Sequence, residues 1–312
     1  MNRPAVVALG GGHGLAASLR ALRLVTDRIT AVVTVADDGG SSGRLRREFD
    51  VLPPGDLRMA LAALCDDGDW GTTWAGVLQH RFAGDGPLGG HALGNLLIVS
   101  LWEQLGDTVA GLDMVGRLLG ARGRVLPMAA VPLSIEAQVA GLDPDDPQRV
   151  VLIRGQEHVA KTEGLVRSVA LHPDEPPACS ETIAAVKEAD VVVLGPGSWF
   201  TSVMPHLLVP QLRRALVDTP ARRVLTLNLQ LDTSETFGLT AADHLRVLWR
   251  HAPELTFDAV IADPSIVLDE PALRAAAAAL GADLVVAPVA TPQRLAEHDT
   301  LRLAAAYRDI IG

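Results

Sequence analysis

The feature that most constrains this chain is an apolar run, Ala5–Leu9, that breaks into Gly10-Gly11-Gly12-His13-Gly14 and passes at once into Leu15–Leu24, where apolar residues recur at helical spacing. Glycines at the end of a strand let the backbone turn tightly and approach a ligand with no Cβ in the way. The helix that follows then offers free N–H groups and the positive end of its dipole to an anion. A second apolar run, Ile29–Ala36, ends in Asp37-Asp38-Gly39-Gly40 and completes a βαβ unit. The glycine spacing is not the usual dinucleotide fingerprint, so it points to an anion or nucleotide site without naming the ligand. A tight strand–helix turn with no ligand is the competing reading.

The same rhythm continues. Helical patterns are expected over Asp56–Cys65, Thr72–Arg81, Leu93–Leu105 and Leu112–Leu119. From Arg124 to Gly141 and from Arg149 to Leu171 apolar and polar residues alternate between prolines, which predicts a small antiparallel patch. His172–Ala178 reads as a Pro-rich linker. Helix and strand signals then resume, with strands expected at Asp190–Leu194, Val224–Leu229, Phe257–Ala262 and Leu284–Val289 and a last helix over Leu295–Ile311. The predicted fold is one three-layer α/β/α Rossmann-like domain over residues 1–312 with a mostly parallel sheet. Its parts are an N-terminal half (1–123), a β insertion (124–171) and a C-terminal half (178–312).

Composition excludes several functions. Hydrophobic residues make up 48% and aromatics 4%, so the core must be built from Ala, Leu and Val, which suits doubly buried strands. The net charge of −10 argues against a nucleic-acid partner, and the Arg44, Arg46, Arg47 cluster is local, fitting one anionic ligand. Cys65 and Cys179 stand far apart and outside any CxxC pair, which implies neither a disulfide framework nor a zinc site. Neither a signal-peptide pattern nor a membrane-length apolar run is found, so the expected location is cytoplasmic.

The candidate site gathers on three loops. Gly11, Gly12, His13 and Gly14 form the first. Thr34–Arg46 forms the second, where Asp37 and Asp38 can reach a ribose hydroxyl or a hydrated metal ion, and Ser41, Ser42 and Arg44 can donate to phosphate. Gly195-Pro196-Gly197-Ser198, with Thr201 and Ser202 behind it, forms a second cradle on the far half of the sheet. Asn95 offers a donor and an acceptor to a base or sugar. Asn228 and Glu235 can complete the wall. Asp56 alone reads as a helix N-cap, His91 as structural, and Trp70, Trp74 and Phe82 as packing. No nucleophile elbow, H-E-x-x-H or Walker lysine occurs, so the residues stop short of a reaction.

Taken in order, Gly10–Leu15, Thr34–Arg46, Pro54–Arg58, Gly90–Asn95, Gly195–Pro205 and Ser234–Leu245 resemble the gluconeogenesis factor (YvcK-like) family, related to 2-phospho-L-lactate transferase, the deazaflavin cofactor enzyme. The Asp-Asp-Gly-Gly-Ser-Ser-Gly-Arg block is specific to the regulatory branch. His13, Met59 and Ala92 depart from the family's usual Thr, Asn and Ser. The resemblance implies binding of a UDP-sugar, notably UDP-N-acetylglucosamine, on the residues named above. No catalytic residue and no required cofactor is implied, though Mg²⁺ with the nucleotide diphosphate is compatible, held by Asp37 and Asp38. It also implies regulatory protein partners and a role in cell shape and wall synthesis on gluconeogenic carbon. A homo-oligomer stays open, as does the transferase alternative.

Overall fold

The computed structural model describes residues 3–231, 233–292 and 294–312. The chain opens with β1 (Val6–Gly10), α1 (Gly12–Leu22), β2 (Ile29–Val33), α2 (Gly40–Phe49), α3 (Pro54–Leu64), α4 (Asp69–Gln79), α5 (Leu93–Leu105) and α6 (Thr108–Leu119). The middle holds β3 (Arg124–Pro127), β4 (Ser134–Ala140), β5 (Val151–Arg154), α7 (Gln156–Ala160) and β6 (Leu165–His172). Then come α8 (Ser180–Glu188), β7 (Val191–Leu194), a π-helical turn at Trp199–Val203, α9 (Met204–Leu208), α10 (Pro210–Asp218) and β8 (Arg222–Thr226). The chain closes with α11 (Ala241–His251), β9 (Ala259–Ala262), α12 (Glu270–Ala279), β10 (Asp283–Val286), β11 (Ala290–Thr291), β12 (Arg294–His298) and α13 (Thr300–Ile311).

Seven strands form one parallel sheet in the order β10-β9-β8-β7-β1-β2-β3. β1 and β7 are neighbours, with Leu9 paired to Leu194. From that pair the connections run outward both ways, so the β1/β7 boundary is the switch point where such sheets bind ligands. Helices cover both faces: α13, α1 and α3 pack in a row, while α8 packs on α10 and α11 on α12. Strand residues Val6–Leu9 and Val191–Leu194 are all buried, as expected for strands covered on both faces. The Rossmann-like α/β expectation is met.

Three details differ from the sequence expectation. β3 belongs to the parallel sheet, pairing with β2, so the antiparallel insertion is the three-stranded β5-β4-β6 sheet starting at Ser134 rather than at 124. Residues 40–49, read as a polar loop, form α2; its buried side is Ser41, Ser42, Gly43 and Leu45, which carries no apolar stripe to reveal a helix. The final helix starts at Thr300, not Leu295, because the Asp299 carboxylate accepts hydrogen bonds from the Leu301 and Arg302 amides and caps it there. The preceding residues pair as the β11–β12 hairpin. Among the described residues no helix is long and apolar enough to cross a membrane.

Candidate functional site

The two glycine loops lie against each other. A Cβ added to Gly14 would sit 2.3 Å from the Pro196 carbonyl oxygen and 2.7 Å from Gly197 Cα, so the start of α1 tolerates no side chain where the second loop crosses it. A Cβ on Gly11 would sit 2.5 Å from both Thr34 Oγ1 and Asp56 Oδ2. Close packing thus accounts for part of the glycine content that the sequence reading assigned to a ligand. Beyond this contact lies a hollow of about 690 Å³, edged by His13, Gly14, Arg20, Pro196, Gly197, Ser198, Asn228, Glu235 and His298. His13, Ala17 and Arg20 are one face of α1, which turns toward the hollow.

The second loop is held rigidly. Asn228 accepts from the Gly197 amide at 2.7 Å through Oδ1 and donates to its carbonyl at 2.6 Å through Nδ2, clamping one residue on both sides. Asn228 therefore shapes the cradle with its amide instead of offering it to a ligand. Ser18 donates to the Gly195 carbonyl at 3.1 Å and meets the Tyr307 hydroxyl at 2.6 Å, and Tyr307 also reaches Thr226, tying α1 and α13 to the loop. Ser198 Oγ is bonded to Thr201 and donates to Glu235 Oε1 at 2.5 Å; the Phe200 amide reaches the same oxygen at 3.3 Å. Glu235 is buried at 3% exposure, and burial raises its carboxyl above the ordinary range. Arg20 makes no hydrogen bond or ion pair with another described residue; burial, then the nearby Arg23, lowers its guanidinium pKa.

A smaller hollow of about 260 Å³ lies on the other side of the α1 start, edged by Asp37, Ser41, Ser42, Asp56, Arg58, Arg81 and Asn95. Here the polar groups bond to one another. Asn95 Oδ1 accepts from Arg58 Nε at 2.9 Å, and its Nδ2 donates to Ser41 Oγ at 3.0 Å. The Ala92 amide donates to Ser41 Oγ as well, at 3.3 Å, so the serine hydroxyl hydrogen turns to His91 Nδ1 at 3.0 Å. Arg58 also bonds to Gln79, and burial together with Arg81 lowers it to about 10. His91, read as structural, joins this network.

Asp56 is the residue the sequence reading undervalued. It lies in the first turn of α3, past the Pro53 N-cap, and accepts from Thr34 Oγ1 at 3.1 Å and from the Gly12 amide. Desolvation by burial, then the neighbouring Asp37, pushes its carboxyl up to about 6. Asp37 is raised too, mainly by burial, although the Gly39 amide donates to it at 3.0 Å. No local signal separates such an acid from an ordinary first-turn carboxylate, because the burial is made by distant segments.

Other predicted residues take different places. Asp38 edges neither hollow; its Oδ1 accepts from the Glu157 amide at 3.1 Å and caps α7 of the insertion. Arg44 donates to the Gly89 carbonyl at 2.8 Å, Arg46 to Leu133 O at 2.5 Å and Ser134 Oγ at 3.1 Å, and Arg47 to the Asp38 carbonyl at 3.5 Å. These arginines pin α2 to its surroundings. The expected single pocket is thus two, with Asp37 and Asn95 in the smaller and the glycine loops in the larger. Trp70 and Trp74 contact each other at 5.6 Å with Trp70 largely exposed, and the Trp70 indole donates to Leu118 O. Among the described residues no group of three His, Cys, Asp or Glu is placed to hold a metal ion.

Comparison with known proteins agrees with the fold. The family model for 2-phospho-L-lactate transferase CofD matches residues 6–294. A Mycobacterium tuberculosis relative, provisionally named a gluconeogenesis factor, is 55% identical over 303 residues, 96% of this chain and 88% of that one. The gluconeogenesis factor of Bacillus subtilis is 36% identical over 269 residues, 86% of this chain and 81% of that one. A crystal structure of a UPF0052-family protein from Bacillus halodurans superposes with a TM-score of 0.86 at 33% identity, covering 98% of this chain and 99% of that one.

Proposed function

The chain belongs to the CofD family, among the gluconeogenesis factors, and from that premise we propose that it is a regulatory protein that binds a UDP-sugar, UDP-N-acetylglucosamine foremost, in the larger hollow. The observation that carries this reading is the position of that hollow. It lies at the β1/β7 switch point, between two glycine loops, at the N-terminus of α1 and beside Arg20, which makes no hydrogen bond or ion pair among the described residues. Its volume of about 690 Å³ falls in the range that encloses ligands of this size. The amides of His13 and Gly14 precede any intrahelical acceptor, so they and Arg20 suit the diphosphate. The sugar and base extend along Ser198, Glu235 and the β11–β12 hairpin. The protein acts in the cytoplasm through partner proteins, adjusting wall synthesis and cell shape to gluconeogenic growth. Titration calorimetry with UDP-N-acetylglucosamine, with NAD and GDP as controls, tests the ligand. Heat with GDP or NAD and none with the UDP-sugar would refute the assignment.

One observation favours a second reading, transfer of a phospholactyl group. Asp37 and Asp56 both edge the smaller hollow, and two carboxylates fit a Mg²⁺ ion that keeps most of its waters. Held there, such an ion would neutralise charge on the donor's diphosphate, from which the nucleoside monophosphate leaves as the phospholactyl group passes to the acceptor. Asp38, capping α7, is turned to another task. Incubation with Mg²⁺, an activated phospholactate donor and a deazaflavin acceptor, read by mass spectrometry, decides between the two. Coupled product that disappears in Asp37→Asn would favour the transferase; ligand recovered unchanged favours the binding protein.

A further inference from the structure

A strand at the edge of a sheet presents a row of unpaired backbone donors and acceptors, and native chains blunt such edges with proline, lysine or a bulge. β5 is an edge that carries none of these devices. It pairs with β4 on one side only and in regular register, and its residues are Val151-Leu152-Ile153-Arg154.

The ladder decides which backbone groups are open. The Gly155 amide donates to the Ile135 carbonyl at 2.8 Å, and these two residues continue the β4–β5 register. Hydrogen-bonded and non-hydrogen-bonded positions alternate along an antiparallel pair. Val151 and Ile153 therefore turn their N–H and C=O groups toward β4, while Val150, Leu152 and Arg154 turn theirs outward. Among the described residues nothing hydrogen-bonds to those outward groups. Their side chains are open as well, Val150 at 51% and Leu152 at 50% exposure. The charges at the two ends of the strand are already matched within the chain: Arg154 meets Glu136 at 2.7 Å, and Arg149 meets Asp143 at 3.1 Å. The edge is thus apolar at its centre and brings no uncompensated charge to whatever pairs with it.

We infer that β5 pairs antiparallel with β5 of a second copy of this chain, so that the small sheets of two copies become one across a two-fold axis. A two-fold interface must be complementary to itself, and β5 is so in one register. With Leu152 opposite Leu152 of the second copy, Val150 falls opposite Arg154, and all three outward residues exchange both backbone bonds, about six hydrogen bonds in total. On the exposed face the two Leu152 side chains meet at the axis. Each Val150 there covers the aliphatic stem of an Arg154 whose charge Glu136 already holds. On the other face Val151 meets Ile153. A register shifted by two residues leaves one outward residue of each strand beyond the end of its partner. The paired strands are short, which places the dimer in the weak, reversible class.

Sedimentation velocity over a range of concentrations tests this on the full chain, with Leu152→Pro, Leu152→Lys and Leu165→Lys. Wild type should pass reversibly from monomer to dimer as concentration rises. Leu152→Pro deletes the outward N–H on each side of the axis and leaves the bonds to β4 in place. It should fold and weaken dimerisation at least about tenfold. Leu152→Lys should act in the same direction by setting two like charges opposite each other. Thermal melts establish that each variant is folded, and either Leu152 variant alone suffices. Leu165 is exposed on β6, with β4 between it and the paired edge, so Leu165→Lys should dimerise like wild type. Wild type that stays monomeric at every concentration overturns the inference, as does a dimer that survives in the folded Leu152 variants. A dimer lost in Leu165→Lys and kept in Leu152→Pro packs face to face and overturns it too.

Discussion

The two hollows flank the start of α1, yet their polar groups behave oppositely. Around the smaller one, Asn95, Ser41, His91, Arg58 and Gln79 bond to each other in a closed chain. Around the larger one, Asn228 and one oxygen of Glu235 hold the second loop, while Glu235 Oε2 and His298 Nε2 are buried without a hydrogen-bond partner among the described residues. A closed network is stable as it stands and defines shape; an open set of groups is at a disadvantage until a ligand completes it. The difference teaches that a polar residue near a ligand loop is not thereby a contact. Asn95 and Asn228, equivalent candidates in sequence, both have their amides occupied by protein.

The comparison breaks first if the two loops can be separated without consequence. Gly14→Ala places a methyl 2.3 Å from a backbone oxygen that has no rotamer to yield, and we expect a loss of about 3 kcal/mol or more together with ligand binding. Gly76→Ala, where nothing lies within 4 Å inside α4, should instead gain up to about 1 kcal/mol. Urea unfolding of both variants checks this; a harmless Gly14→Ala would show that the loops do not need their contact.

The smaller hollow should show its strain in pH. Asp56 titrates near 6 when folded against 3.8 for an ordinary Asp. Between those values the folded state holds more protons than the unfolded, so stability falls as pH rises from about 4 to about 6 and then levels off. The size is about 3 kcal/mol at most, at 1.36 kcal/mol for each pH unit. Asp37, raised in the same direction, steepens the fall. Asp56→Asn should flatten the profile and stabilise the ligand-free protein at pH 7. An unchanged slope in urea midpoints would show that the pair is not coupled to folding.

Asparagine truncation sharpens the contrast. Asn95→Ala leaves Arg58 Nε buried without its acceptor and should lose about 2–3 kcal/mol. Asn228→Ala strips both bonds from the Gly197 peptide, but Asn228 is itself half-buried, so water can take the place of its amide; the loss should be about 1 kcal/mol, with binding weakened through the loosened cradle. Thermal melts alongside calorimetry separate the two effects.

The sequence carried the sheet and the loops because their signals are local. β1, its glycines and α1 are marked by period and by residue type, and α5 matches its expected span of Leu93–Leu105. What it did not carry was made by distant contacts. α2 lacked an apolar stripe because small residues, Ser41, Ser42 and Gly43, are its buried side. β3 lay at the start of a stretch read as antiparallel, and pairing with β2 alone reveals its place in the main sheet. Asp56 is held at the edge of the smaller hollow through Thr34 and Gly12, and Asp38 became a cap through a helix 119 residues away in sequence. His298 lay within a segment read as helix, so its place at the hollow's edge followed from the hairpin.

Arg20 provides the finest test, because its effect on stability should be smallest. Its guanidinium makes no hydrogen bond or ion pair among the described residues, and it lies between the repulsion of Arg23 and the attraction of Glu297. Arg20→Ala therefore removes no hydrogen bond, and the repulsion from Arg23 that it relieves is offset by the attraction to Glu297 that it loses, so the unfolding free energy should stay within about 0.5 kcal/mol of wild type. Binding should behave differently. If the diphosphate lies between the start of α1 and the second loop, the guanidinium makes a charge-assisted contact, and its loss should weaken UDP binding roughly tenfold. The remaining affinity should also respond less to added salt, since a screened charge has been removed. Calorimetry at low and high salt on both proteins measures this directly. Equal affinities and equal salt dependence would place the diphosphate away from α1, and would shift attention to the smaller hollow, where Arg58 and Arg81 are the cations at hand.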